Sequence, residues 1–184
     1  VREDIDLVFK DSKYFENIFN NKNILLVGAS SFILAYLVIL LIDKKGLLNC
    51  NIFLCGRNKK KIFKKFNFLN SISKNVFIID FKELNRNNHK FDFIIHAASS
   101  PDSNFLKDPT EVYETNIFWT HKLLKIAYKD KATLIFLSSS EIYGNFNNDR
   151  ILKINDVCLT NSLDIKSTYS DSKRLAETIF GFIL

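Results

Sequence analysis

Apolar positions in this chain fall mainly in short unbroken runs, separated by polar and turn-forming stretches. A strand with one wet face alternates apolar and polar residues, whereas an unbroken run suits a strand covered on both faces. On that basis Ile24–Val27, Asn51–Cys55, Val76–Ile79, Phe91–His96 and Ala132–Ser138 read as strands. Between them Ser31–Ile42, Lys59–Phe66 and Glu111–Tyr128 read as helices. Strands alternating with helices predict an α/β fold, a doubly wound parallel sheet with helices on both faces. Residues 1–22 mix acids, Lys and Phe in a helical rhythm and read as a lead-in helix, leaving 23–184 as the main domain.

The run from Ile24 to Ile42 carries no charge and is long enough to cross a bilayer as one helix. Gly28 and the pair Ser30-Ser31 divide it where a tight turn is wanted. A membrane helix there would also deprive the other apolar strands of their central neighbour. The run is therefore read as a buried strand, a turn and a buried helix, which is how a dinucleotide-binding fold begins.

At 184 residues and 47% hydrophobic, the chain can bury one sizeable core. Its formal charge of +6 would suit an anionic partner. The Lys, Asn, Ile and Phe bias is spread over the whole chain, however, so no nucleic-acid partner is expected. The one cluster, RNKKKIFKK from Arg57 to Lys65, reads as a solvated helix face. Cys50, Cys55 and Cys158 form no CxxC pair, and His89, His96 and His121 are scattered, so no metal is expected. With a charged first twenty residues and no signal-peptide core, a cytoplasmic protein with reduced thiols and no membrane contact is the expectation.

Ligands of an open α/β sheet lie beyond the carboxyl ends of its strands, which draws attention to the loops Ser99–Pro109 and Gly144–Ser167. Three stretches fall on that edge. GASSFIL, Gly28 to Leu34, offers backbone amides at a helix start to a pyrophosphate. LSSSEIYG, Leu137 to Gly144, follows the fifth strand, and YSDSK opens the last helix with Tyr169 and Lys173 one turn apart. A phenol with a pKa near 10 is a poor base at neutral pH. A neighbouring ammonium favours its phenolate, and a serine hydroxyl can align the substrate oxygen, so Ser139, Tyr169 and Lys173 can form one proton-transfer unit. Singly these are an ordinary tight turn, a capping turn and a chance pair; their joint order is what carries weight.

Together these residues resemble the extended short-chain dehydrogenase/reductases, in particular the NAD-dependent epimerase/dehydratase branch that acts on nucleotide sugars. The likeness runs from about residue 23 to the end of the chain. NILLVGASSFILAYLV resembles the family's first strand and glycine turn, and FDFIIHAASSPDSN its fourth strand and following loop. The resemblance implies a Rossmann-like domain that binds NAD or NADP through Gly28, Ser30, Ser31, Phe32, Ile33, Arg57, Asp80, Phe81, Ala97, Ala98, Ser99, Tyr169 and Lys173. Asp80, after the third strand, would contact the adenine. Asn116 in ETNIFWTHKLL resembles an active-site asparagine and joins Ser139, Ser140, Glu141, Tyr169 and Lys173 as the implied catalytic set. Ser-Glu after a hydroxyl residue, with LDIKSTYSDSKR, resembles UDP-glucuronate decarboxylases and sugar-nucleotide 4,6-dehydratases, enzymes of surface polysaccharide biosynthesis. The implied partners are a nucleotide sugar and a second copy, through the helices Glu111–Tyr128 and Tyr169–Phe182.

The chain departs from the family pattern in three respects. Ser31 and Leu34 stand where the second and third glycines of the turn belong, and a leucine between helix and sheet risks overpacking of roughly 1–3 kcal/mol. Gly56-Arg57 stands where an NAD enzyme offers an acid to the ribose, and an arginine there can take a 2′-phosphate. The sequence also stops at Leu184, where most of a substrate lobe would follow. A truncated remnant with a damaged cofactor site and an NADP-dependent short-chain reductase are therefore the alternatives.

Overall fold

The computed structural model describes residues 17–43, 49–66, 75–86, 88–100, 108–144, 151–156 and 160–183. Five strands form its sheet: β1 (Asn23–Val27), β2 (Asn51–Gly56), β3 (Val76–Asp80), β4 (Phe93–His96) and β5 (Thr133–Phe136). They lie in the order β3-β2-β1-β4-β5. β1 pairs in parallel with both β2 and β4, and β2 with β3. Chain order reverses at β1, so the switch point of a doubly wound, Rossmann-like sheet lies between β1 and β4.

The chain divides into two compact units. The first comprises Val1–Ala97 with Ala127–Ile135 and holds nearly all of the sheet. Its core is the unbroken apolar runs themselves, since Ile24, Leu25, Leu26, Val27, Phe53, Leu54, Cys55 and Ile94 are all fully buried. The outer strands β3 and β5 are wetter, with residues such as Phe77 and Ile135 exposed. At the amino end of β1, Asp92 Oδ2 accepts the Asn23 amide at 2.9 Å and Oδ1 meets the Lys22 ammonium at 3.1 Å. Burial raises the Asp92 pKa, but these two partners outweigh it and hold the carboxyl below its ordinary value.

Helix α1 (Phe32–Asp43) follows β1. Ser31 caps it, its Oγ accepting the Leu34 amide at 3.3 Å. Leu34, Val38 and Leu41, one turn apart, face the core. The apolar run from Ile24 is thus split between a strand and a helix of 12 residues. No helix among the described residues is long and apolar enough to cross a membrane. Helix α2 (Lys59–Lys65) is capped by Asn58 and buries only Ile62, with Lys64 and Lys65 at its negative carboxyl end. The basic run is therefore mostly the solvated face expected. A 3₁₀ segment, Phe81–Arg86, follows β3.

The second unit comprises Ala98–Ile126 with Phe136–Leu184. The helix expected over Glu111–Tyr128 is interrupted. It runs as α3 (Pro109–Tyr113), a π turn (Glu114–Phe118) and α4 (Trp119–Asp130). Asp108 starts it by accepting the amides of Thr110 and Glu111, and Pro109 suits a first-turn position. The π turn widens the helix at Thr115 and Asn116, a feature that periodicity does not reveal. A short 3₁₀ turn, Ser140–Tyr143, follows β5, and α5 (Ser167–Ile183) ends the described chain. Of the lead-in helix expected over 1–22 only residues 17–22 are described, and of these 17–19 are helical while 20–22 are turn and coil. Residues 101–107 of the loop Ser99–Pro109, and 145–150 and 157–159 of Gly144–Ser167, lie outside the described residues.

Candidate functional site

In the first unit, the carboxyl ends of four neighbouring strands carry the residues expected to hold a dinucleotide. Val27 lies beside Cys55 and His96, and Gly56 beside Asp80, so the turn after β1, Arg57, Asp80-Phe81 and Ala97 share one sheet edge. Asp80 is the last residue of β3, not the first beyond it, and its Oδ1 accepts the Lys82 amide at 2.8 Å. Phe81 is buried, whereas Arg57 is exposed.

The turn itself depends on Gly28, whose φ of 88° lies in the left-handed region that glycine adopts without a steric penalty. The amides of Gly28 and Ala29 both bond the Cys55 carbonyl, at 2.9 and 3.2 Å, and that of Ser31 bonds Gly28 at 2.8 Å. Among the described residues the amides of Ser30, Phe32 and Ile33 have no acceptor. Three donors at a helix start, with the partial positive charge of the helix behind them, are what an anion requires. Ser31 is committed to capping α1, and Leu34 is taken into the core at 1% exposure, so both departures from glycine are accommodated.

In the second unit, Asn116 is fully buried in the π turn. Its Nδ2 donates to Ser172 Oγ at 2.9 Å, and its Oδ1 accepts from Ser99 Oγ at 3.2 Å. Ser172 Oγ in turn donates to the Tyr169 carbonyl at 2.8 Å. This chain ties the loop after β4 and the π turn to the start of α5. Ser172 was passed over in the sequence, although its place three residues after Tyr169 puts it on the inner side of the same turn.

Lys173 is 2% exposed, an uncommon fate for a lysine. Its Nζ donates to the Leu137 carbonyl at 2.9 Å and lies 4.5 Å from the centre of the Phe136 ring. Burial pulls its pKa down from 10.5 to about 8, with Glu177, one turn further along α5, opposing the fall. Tyr169 is half-buried, and its hydroxyl makes no hydrogen bond to a described residue. Ser139 caps the 3₁₀ turn, its Oγ accepting the Glu141 amide at 3.3 Å, while Ser140 and Glu141 are exposed. Ala98 is buried and Ser99 half-buried. Tyr169 and Lys173 share a face of α5, Asn116 and Ser99 are joined, and no hydrogen bond among the described residues links Ser139 to Tyr169. No group of His, Cys, Asp and Glu among the described residues could hold a metal ion.

The profile of the NAD dependent epimerase/dehydratase family matches residues 24–180. The chain belongs to that family. A relative, the bifunctional polymyxin resistance protein ArnA of Wigglesworthia glossinidia brevipalpis, is 26% identical over 177 residues, covering 94% of this chain and 26% of its own. Solved structures with the same fold include the UDP-N-acetylglucosamine 4-epimerase of Methanobrevibacter ruminantium M1 in complex with UDP-N-acetylmuramic acid. Its TM-score is 0.71 at 23% identity, covering 89% of this chain and 51% of that one. The UDP-Glc/GlcNAc 4-epimerase of Campylobacter jejuni gives 0.70 at 18% identity, covering 88% and 49%. The dTDP-glucose 4,6-dehydratase of Bacillus anthracis str. Ames in complex with NAD gives 0.64 at 18%, covering 86% and 49%. The chain thus spans about a quarter of the curated relative and about half of the solved structures.

Proposed function

We propose that this chain supplies the cofactor-binding and proton-transfer parts of an NAD(P)-dependent nucleotide-sugar epimerase, dehydratase or decarboxylase that serves surface polysaccharide synthesis. The observation that carries the proposal is the placing on one face of α5 of a buried Lys173 and a half-buried Tyr169 whose hydroxyl bonds no described residue. In the first unit the amides of Ser30, Phe32 and Ile33 bind the pyrophosphate, and Asp80 contacts the adenine. NAD(P) held by these residues would supply the hydride acceptor. Tyr169 takes the proton of the sugar 4-hydroxyl, Ser139 holds the same oxygen by a hydrogen bond, and the Lys173 ammonium favours the phenolate. Ser140 and Glu141 assist at the carbon next to the resulting ketone, whose neighbouring proton the ketone makes acidic. Asn116 holds the start of α5 in register through Ser172.

Arg57 favours NADP as the nucleotide, because it stands where the ribose 2′ position is read and can pair bidentately with a phosphate. The test supplies the protein with NAD or NADP and a panel of UDP- and dTDP-sugars, with product followed by mass spectrometry. Conversion that falls by at least about a hundredfold in Tyr169→Phe supports the reading. Equal conversion by that variant would remove Tyr169 from the chemistry and the proposal with it.

A further inference from the structure

The run of basic residues on α2 contains one lysine that does something its neighbours do not. Lys65 Nζ reaches back to the turn after β1 and donates to two successive carbonyls, Ser30 at 2.9 Å and Ser31 at 3.1 Å. In a planar trans peptide the N–H points opposite to the C=O. Holding the Ser30 and Ser31 carbonyls therefore fixes the amides of Ser31 and Phe32 on the other side of the turn. The Ser31 amide is spent on Gly28, but the Phe32 amide is one of the three without an acceptor. A cation bonded to the carbonyl end of that peptide polarises it and strengthens its N–H as a donor. The same ammonium brings a full positive charge to a turn already at the positive end of α1.

We propose that Lys65 is a positioning residue of the nucleotide-phosphate site, aligning and polarising the Phe32 amide toward a pyrophosphate. The inference rests on the cofactor-binding reading above. NADH, NADPH and adenosine are titrated into the wild-type chain and into Lys65→Met, Lys65→Arg and Lys64→Met. Lys64 is the control, an exposed lysine of the same helix that has no bond to the turn. Lys65→Met should weaken both dinucleotides by about three- to tenfold, less than the loss of a direct charge-assisted hydrogen bond because Lys65 acts through the peptide. Adenosine, which has no phosphate, should bind the variant as it binds the wild type. Lys65→Arg should restore most of the loss, and Lys64→Met should cause little. Equal dinucleotide affinity in wild type and Lys65→Met overturns the inference alone, as does equal weakening of adenosine, which marks a general structural defect. A folded wild type that binds neither dinucleotide overturns the cofactor reading and this inference together.

Discussion

Lys173 gives the most quantitative handle on the account. A buried ammonium with one carbonyl partner is a charge held at a disadvantage, and its pKa of about 8, against an ordinary 10.5, measures that disadvantage. Because the folded pKa lies below the unfolded one, the unfolded chain binds more protons between these values, and stability must rise with pH across that window. At 1.36 kcal/mol for each pH unit the full rise is about 3 kcal/mol, of which about 2 kcal/mol is reached by pH 9.5. Below pH 8 both states are protonated and the penalty is constant. The assay compares urea unfolding of wild type and Lys173→Met at a series of pH values. The single Trp, Trp119, is buried and serves as the fluorescent reporter. Groups common to both proteins cancel in the difference, so wild type minus variant should climb from pH 7 to 9.5 by about 2 kcal/mol. A difference that stays flat would mean that the ammonium is solvated in the folded chain, and the argument for a buried Lys173 beside Tyr169 would be refuted.

Three further outcomes are expected. Asn116→Ala leaves Ser99 and Ser172 short of a buried partner and should cost about 1–3 kcal/mol in urea unfolding, whereas an unchanged midpoint would show the chain of bonds to be idle. Gly28→Val forces a β-branched residue to a φ of 88° and should lose about 1–2 kcal/mol of stability together with dinucleotide binding; binding at wild-type affinity would show that the turn does not need that backbone. Asp92 has a folded pKa held below 3.8, so its stabilisation is present above that pH and is lost as pH falls through the folded pKa. The stability gap between wild type and Asp92→Asn should therefore close on acidification, and a gap independent of pH would remove the Lys22 and Asn23 contacts as its cause.

Much of this was legible in the chain because unbroken apolar runs have few other uses. The four buried residues of Ile24–Val27 and the strand–helix alternation fix a parallel sheet, and Gly28 marks the turn. The boundaries moved by a residue or two where polar ends decide them, as with Asp80 inside β3 and Ser31 outside α1. The π turn around Asn116 is a single widened turn inside an otherwise continuous helical pattern over Glu111–Tyr128, and that pattern reads as one helix. Leu34 looked like an obstacle in the sequence, since a missing glycine suggests crowding; in the fold it supplies the first core contact of α1. Lys65 was hidden for the opposite reason. Six lysines and arginines within nine residues make one indistinguishable basic face until the fold shows which one bends back to the turn.

The most direct test of the central claim is a titration of the purified, folded chain with NADH and NADPH, followed by nicotinamide fluorescence. The account predicts saturable binding of at least one of them, with NADPH favoured and the preference lost in Arg57→Ala. A folded chain that binds neither would contradict it, because three open amides on a formed glycine turn would then not constitute a phosphate site.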